Sequence, residues 1–455
     1  MHNVADQHIV VIGGARSGVP VAELLQRHGA SVLVTDYGAI APAMKERLDA
    51  AEIPFEENGH TPKARQGDFA VVSPGVPTSA PIVQHYLGAG KKVYSEIEVA
   101  SWFNCRPTIG ITGSNGKTTV TRWLDHLLDT ADAEHEMAGN IGRAFSEIAD
   151  QNDEDCANPV VLEISSFQLD HIDEFHPTVG VLLNITPDHL DRYENSLEQY
   201  AAAKFRLFEH QTDEEWLVYN YDDPMIKQRV EQLQQMDPHP RLLAFSKEDS
   251  GLEGAFVRDH QIMFRINKHE EVLMPADELS LRGSHNLHNG LATALAARAT
   301  EIKNEHIRES LKSFEGVEHR LELVRVLDGV SYINDSKATN VNAVWYALDS
   351  IPKPIVLILG GRDKGNDYTE IRPLIRERVE AIVAIGESKD KIKTELENCV
   401  PALVEAQSME EAVRLAKQRS VKGSTVLLSP ACASFDMFES YEDRGNVFKR
   451  AVINL

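Results

Sequence analysis

Long apolar runs are missing from this sequence: nowhere do about 18 apolar residues follow one another, so no helical membrane span is expected. Cysteine is scarce. Cys105, Cys156, Cys399 and Cys432 are widely spaced and form no C-x-x-C pair, which suggests neither a zinc site nor a disulfide framework and fits a reducing compartment. Positive charge is short as well, with 46 Lys and Arg against 70 Asp and Glu and a net charge of -24. Nucleic acid and anionic membrane would be repelled at long range, so neither is an expected partner. Glycine (28) and proline (20) show no excess, and no low-complexity stretch points to a disordered or fibrous class. The N-terminus runs at once into an apolar segment, His8 to Ile12, so no signal peptide is expected.

What is present is an ordinary globular composition, 42% hydrophobic and 25% charged, over 455 residues. That length exceeds one hydrophobic core, and the expectation is three α/β domains. The first begins strand (Ile9 to Ile12), glycine turn, helix (Val19 to His28), strand (Ser31 to Thr35), a βαβ start closing near Ser95. A second begins at a strand over Thr108 to Thr112. Beyond it come a helix with apolar Val120, Trp123, Leu124, Leu127 and Leu128 at half-buried spacing, and strands at Val160 to Ile164 and Val179 to Leu183. The polar stretch Asn220 to His269 has weak periodicity and is left without elements. An alanine-rich helix is expected around Leu291 to Thr300. A third α/β unit starts near Val317, with strands at Ser331 to Asn334, Ile355 to Leu359, Ala381 to Ile385 and Thr425 to Leu428.

An anionic substrate must be caught by local groups against this overall field, which makes basic residues in glycine-rich loops informative. The strongest local signal is Gly113-Ser114-Asn115-Gly116-Lys117-Thr118-Thr119, placed between a strand and a helix. Glycines let backbone N–H groups face phosphate oxygens, the helix N-terminus adds positive potential, Lys117 reaches the β and γ phosphates, and Thr118 can ligate Mg²⁺. A strict phosphate loop would place glycine at position 111, which is Ile111. Glu163, closing an apolar strand, is either a Mg²⁺ ligand or a solvent-facing acid. His189 lies past another strand and Lys204 in a helical stretch; from spacing alone, a lone histidine is more often structural than a ligand, and a lysine among alanines reads as a surface residue. The loop Gly13-Gly14-Ala15-Arg16-Ser17-Gly18, followed by Asp36, resembles a dinucleotide fingerprint lacking its middle glycine.

Several segments together resemble the Mur ligase family, and in particular its D-glutamate-adding branch: ITGSNGKTT (Ile111 to Thr119), GNIG (Gly139 to Gly142), LEISSFQL (Leu162 to Leu169), DHLDRY (Asp188 to Tyr193), YAAAKF (Tyr200 to Phe205), His319-Arg320, NDSKATN (Asn334 to Asn340) and LSPACAS (Leu428 to Ser434). The likeness covers essentially the whole chain, and the family's own loop variant accounts for Ile111. It implies an N-terminal Rossmann-like domain (1–96), a central P-loop ATPase-type domain (97–316) and a C-terminal Rossmann-like domain (317–455). The implied enzyme is a cytoplasmic monomer of peptidoglycan-precursor synthesis that joins D-glutamate to UDP-N-acetylmuramoyl-L-alanine while cleaving ATP, through an acyl phosphate.

The resemblance also implies roles. Lys117, His189 and Lys204 would be catalytic. Gly113 to Thr119, with Asn286, Asn289, Arg320, Asp335 and Lys337, would bind ATP. Ser17, Asp36, Gly75, Asn140 and His189 would hold the UDP substrate, and Thr339, Lys364, Ser434, Phe435 and Tyr441 the D-glutamate. Two Mg²⁺ ions would rest on Thr118, Glu163, His189 and a CO₂-derived carbamate on Lys204. Phe435 and Tyr441 stand where leucine and phenylalanine are familiar, and Arg16 replaces an apolar residue. The rival readings are a sibling ligase or folylpolyglutamate synthase with another amino acid, a phosphate-loop NTPase switch, and a nicotinamide oxidoreductase built on the first loop.

Overall fold

The computed structural model describes residues 2–150 and 156–455. Three sheets follow one another along the chain. The first contains β1 (His8–Ile12), β2 (Ser31–Thr35), β3 (Phe55–Glu56), β4 (Phe69–Val72) and β5 (Val93–Ser95). All are parallel, in the order β3-β2-β1-β4-β5. The order reverses between β1 and β4, and ligands of open α/β sheets settle at such a switch point. The glycine loop follows β1 and the Pro74-Gly75 turn follows β4.

The second sheet contains β6 (Thr108–Thr112), β7 (Glu136–Gly139), β8 (Val160–Glu163), β9 (Val179–Leu182), β10 (Trp216–Asn220), β11 (Arg241–Ser246), β12 (Gly254–Arg258), β13 (Gln261–Ile266) and β14 (His269–Pro275). Their order is β14-β13-β12-β11-β10-β9-β6-β8-β7. Pairing is parallel from β7 through β12, and the last two strands add an antiparallel extension. The stretch left unassigned from sequence therefore holds a helix, Pro224–Leu233, and three strands, β11 to β13, and ends where β14 begins. Those strands are short and partly exposed, so their alternation is weak: in β14 only Leu273 and Met274 are buried.

The third sheet contains β15 (Glu322–Leu327), β16 (Val330–Asn334), β17 (Ile355–Gly360), β18 (Val379–Ile385), β19 (Ala402–Glu405) and β20 (Thr425–Leu428), in the order β15-β16-β20-β17-β18-β19. Only β15 runs antiparallel to its neighbour. Its central strands are buried on both faces, as helices on either side require.

The chain forms two compact units. One comprises residues up to 278 together with 288–313, and the other comprises 279–287 with 314–455. Within the first, alternation along the strands divides the apolar residues. Val10, Ile12, Ala70 and Val72 pack under Ile82, Val83 and Tyr86. Ile9, Val11, Val32 and Val34 face the other way and belong to one buried cluster with Ala138, Phe145 and Leu162 of the second sheet. No helix among the described residues is long and apolar enough to cross a membrane.

The cysteine expectation is corrected. Cys105 and Cys156 form a disulfide with Cα atoms 5.2 Å apart, whereas Cys399 and Cys432 are buried and free. Topology explains what spacing hid: Cys105 precedes β6, Cys156 precedes β8, and the two strands pair with Thr108 beside Val160. The bridge staples the ends of these strands opposite to those that carry the glycine loop and Glu163. Cys105→Ser is expected to lower unfolding free energy by about 2–4 kcal/mol, the range for closing a loop of this size. Urea denaturation of the oxidised protein checks this, and dithiothreitol should erase the difference between variant and parent.

Candidate active site

β6 ends at Thr112, and the chain then turns through Gly113 and Gly116, whose φ angles of 152° and 91° exclude a side chain at low cost. Space excludes one too: a Cβ on Gly113 would lie 2.8 Å from Leu183 Cβ, and one on Gly116 would lie 2.5 Å from Asn289 Oδ1. The helix Lys117–Thr130 starts directly afterwards. The loop is braced by the segment after β9. Ser114 N donates to the Asn184 carbonyl (2.9 Å), Asn115 N to Asn184 Oδ1 (2.8 Å), and Ser114 Oγ to the Thr186 carbonyl (2.9 Å). Asp223 holds that segment in turn, accepting from Ile185 N at 2.7 Å.

Two lysines meet at this loop. Lys117 Nζ donates to the carbonyls of Gly113 (2.7 Å) and Ser114 (2.9 Å), and Lys204 Nζ donates to the same Gly113 carbonyl at 2.9 Å. Lys204 is 1% exposed, on the helix Leu197–Phe205 that Ser196 caps by accepting from Gln199 N. Its ammonium lies 4.5 Å from the centre of the Tyr200 ring. Burial pushes the Lys204 pKa well below its ordinary value, and the neighbouring Lys117 charge adds to the shift, against the pull of Asp188, Asp170 and Glu163.

Glu163 ends β8 beside Ile111 of β6 and is 2% exposed. Its Oε1 accepts from Asn140 Nδ2 at 2.8 Å, while its Oε2 is buried with no hydrogen-bond partner among the described residues. A buried carboxylate oxygen without a donor is costly. A divalent cation beside it removes that cost, so Glu163 fits the metal role drawn from the resemblance. His189 opens the short helical turn Leu190–Arg192 with φ 51° and keeps a half-exposed ring 5.4 Å from Phe167.

At the first sheet, Asp36 serves its own loop. Its Oδ2 accepts from Gly14 N and its Oδ1 from Gly38 N, both at 2.8 Å. Ser17 precedes the helix Gly18–Arg27 and makes no capping hydrogen bond with its side chain. Gly75 is grasped from the second sheet: Arg192 donates to the Val76 carbonyl at 3.1 Å and to the carbonyls of Pro74 and Gly75 at 3.5 Å.

In the second unit, Asp335 and Lys337 lie just past β16. Asp335 accepts from Ser429 Oγ at 2.8 Å, and burial pushes its pKa up to about 7. Arg320 is half-buried, and Lys337 Nζ is 5.4 Å from the centre of the Tyr441 ring. Asn286, 7% exposed, donates to the Arg282 carbonyl. Thr339 is half-buried and Ser434 buried, whereas Lys364 is exposed and Phe435 is 63% exposed.

Several residues of consequence were missed from sequence. Arg444 is 1% exposed and fastens two of the loops that carried the resemblance. Its Nε donates to Ser336 Oγ (2.9 Å), Nη2 to the Ser336 carbonyl (2.7 Å) and Nη1 to the Cys432 carbonyl (2.9 Å). Arg192, Asn184, Thr186 and Asp223 likewise brace site loops. Polar residues of this kind carry no periodic signal, because their partners lie far away in sequence.

Comparison with known proteins agrees with this geometry. Family models described as the MurD N-terminal domain, the Mur ligase middle domain and the Mur ligase glutamate ligase domain match residues 8–81, 111–297 and 319–432. A UDP-N-acetylmuramoylalanine–D-glutamate ligase of Salinibacter ruber is 50% identical over 98% of this chain and 97% of its own length. The protein of that name from Christiangramia forsetii is 46% identical over 98% and 99%. Among solved structures, the MurF ligase of Thermotoga maritima in complex with ADP superposes with a TM-score of 0.60 at 17% identity, covering 99% of this chain and 96% of that one. UDP-N-acetylmuramate–alanine ligase MurC of the same organism gives 0.57 at 18%, covering 99% and 100%. With full-length identity of this order to D-glutamate ligases and three matched domains in sequence, the chain belongs to the Mur ligase family.

Proposed function

We propose that the chain is an ATP-dependent ligase that joins D-glutamate to UDP-N-acetylmuramoyl-L-alanine in the cytoplasm, as a monomer with domains at 1–96, 97–316 and 317–455. The observation that carries this reading is the convergence of Lys117 and buried Lys204 on the Gly113 carbonyl, within electrostatic reach of Glu163. A phosphate-loop switch has no need of a second, fully buried amine there. A nicotinamide site would not account for the second loop at all.

A carboxylate is a poor electrophile. In the first step an oxygen of the alanyl carboxylate attacks the γ-phosphorus of ATP, the bond to the β-bridging oxygen breaks, and ADP leaves an acyl phosphate. The D-glutamate amine then attacks the acyl carbon, and the tetrahedral adduct expels phosphate as the nitrogen gives up a proton. Negative charge gathers on phosphoryl and acyl oxygens in both steps, so a cation already in place at the loop lowers both barriers. Lys117 is that cation; within the loop Gly113 to Thr119, Asn184 takes the N–H groups of Ser114 and Asn115, and those at the helix start, Gly116 to Thr119, would position the phosphates.

Thr118 and Glu163 would hold one Mg²⁺, and His189 with modified Lys204 a second; bound there, the ions supply further neutralisation of phosphate and acyl oxygens. Burial lowers the Lys204 pKa and so favours the neutral amine, the form that reacts with CO₂: the N–C bond forms, one proton departs, and the product is an anionic carbamate. Ser17, Asp36, Gly75 and Asn140 would hold the UDP-linked substrate. Asn289 in the first unit would contact ATP; so would Asn286, Arg320, Asp335 and Lys337 in the second. Thr339, Lys364, Ser434, Phe435 and Tyr441 would take D-glutamate, with the Lys364 ammonium on a substrate carboxylate.

Phosphate release with UDP-N-acetylmuramoyl-L-alanine and a panel of amino acids tests the reading. Turnover is expected with D-glutamate and not with L-alanine, diaminopimelate, lysine or D-alanyl-D-alanine. Release without any amino acid, or preference for another one, would overturn it.

A further inference from the structure

Arg16 lies in the glycine loop after β1, yet its one hydrogen bond among the described residues leaves that domain: Nη2 donates to the Gly139 carbonyl at 3.1 Å. Gly139 is the last residue of β7, an edge strand that pairs only with β8. The peptide that begins with this carbonyl continues into Asn140. Asn140 N donates to the Glu163 carbonyl and Asn140 Nδ2 to Glu163 Oε1, each at 2.8 Å. One hydrogen bond, one peptide group and one hydrogen bond therefore separate the Arg16 guanidinium from the Glu163 backbone carbonyl, and the Asn140 side chain carries the path on to the carboxylate.

This short path has little slack. Gly139 has φ 100°, and a Cβ there would stand 2.4 Å from the Glu163 carbonyl oxygen, so the turn is pressed against β8. Asn140 is the only donor to the Glu163 carboxylate among the described residues, and Asn140 itself is exposed. The N–H groups of Gly139 and Asn140 are held by the Arg143 and Glu163 carbonyls, and the turn's remaining tie runs through the Gly139 carbonyl. Arg16 supplies the tie, and it does so from the loop expected to hold the nucleotide end of the substrate.

We propose that Arg16 is a positioning residue of the ligase reaction, bracing the Gly139-Asn140 turn so that Glu163 keeps the orientation needed for a divalent cation, and thereby linking the nucleotide loop to the metal. The inference rests on the ligase reading above and adds to it a residue that touches neither ATP nor the reacting carboxylate.

The test uses the full chain with Arg16→Met and Arg16→Lys. Mn²⁺ binding in the presence of ADP is followed by water-proton relaxation, and UDP-N-acetylmuramoyl-L-alanine binding is measured by calorimetry in EDTA. Arg16→Met is expected to weaken Mn²⁺ about fivefold, the scale of one net hydrogen bond, to raise the Mg²⁺ requirement of turnover in parallel, and to weaken metal-free substrate binding less than it weakens Mn²⁺. Arg16→Lys, which keeps a donor, should recover part of the Mn²⁺ affinity. Weakened nucleotide binding with unchanged Mn²⁺ affinity would make Arg16 a plain ligand contact and overturn the proposal, as would unchanged values for both. If the parent protein binds neither probe, the ligase reading fails and this inference falls with it.

Discussion

Lys117→Ala is expected to lower kcat by about 10²–10³-fold while leaving the fold intact, the loss seen when one preorganised electrostatic donor is removed from a transition state. The side chain is partly exposed and bonds the backbone carbonyls of Gly113 and Ser114 in its own loop, so its removal opens no deep cavity. The Gly113 carbonyl keeps its bond from Lys204, which limits the cost to stability. The negative charge gathering on the transferred phosphoryl group would meet no ammonium, and N–H groups alone would have to stabilise it. Phosphate-release kinetics with circular dichroism as a folding control check the result. A fall of less than tenfold would remove Lys117 from the chemistry.

Lys204→Ala is expected to cost a similar factor, for a different reason. The amine is buried against Tyr200 and held to the Gly113 carbonyl, and desolvation lowers its pKa. Its proposed service is to become an anion, so alanine removes a charge of the opposite sign to the one lysine normally brings. Added bicarbonate cannot restore activity, because no nitrogen remains to be carbamylated. A short carboxylate such as acetate can enter the vacated space and is expected to recover part of the rate. Lys204→Arg should stay inactive with or without acetate, since guanidinium is always charged and does not react with CO₂. Unchanged turnover in Lys204→Ala would return the residue to a packing role.

The phosphate loop was legible because three local signals coincide at it: an apolar strand, glycines where the chain must turn left-handed, and Lys-Thr at a helix start. Lys204 was legible only through the resemblance. A lysine among alanines looks like a surface residue, and its burial is decided by the packing of that helix beneath the loop. Arg444 and Arg192 were not legible at all, since each ties segments about a hundred residues apart. The same holds for the Cys105–Cys156 bridge, which exists because parallel pairing sets two strand starts side by side. The strands of β11 to β14 escaped for a local reason: half-exposed antiparallel pairing tolerates charged residues such as Arg258, Arg265 and Glu270, which dilute the alternation.

The buried cluster that runs from Val11 and Val34 through Ala138 to Leu162 has a consequence for anyone dividing the protein. A boundary at residue 96 parts two sheets cleanly in sequence but cuts through their common interior. A fragment ending there would uncover the side of the helix Gly18–Arg27 that packs against Glu96–Ser101 and Phe145–Glu147, and the remainder would lose the surface that shields Phe145. Both halves would carry sticky faces and tend to precipitate. The covalent seam and the packing seam of this chain lie in different places, and the first 313 residues, apart from the stretch at 279–287, are expected to melt as one block in a calorimetric scan.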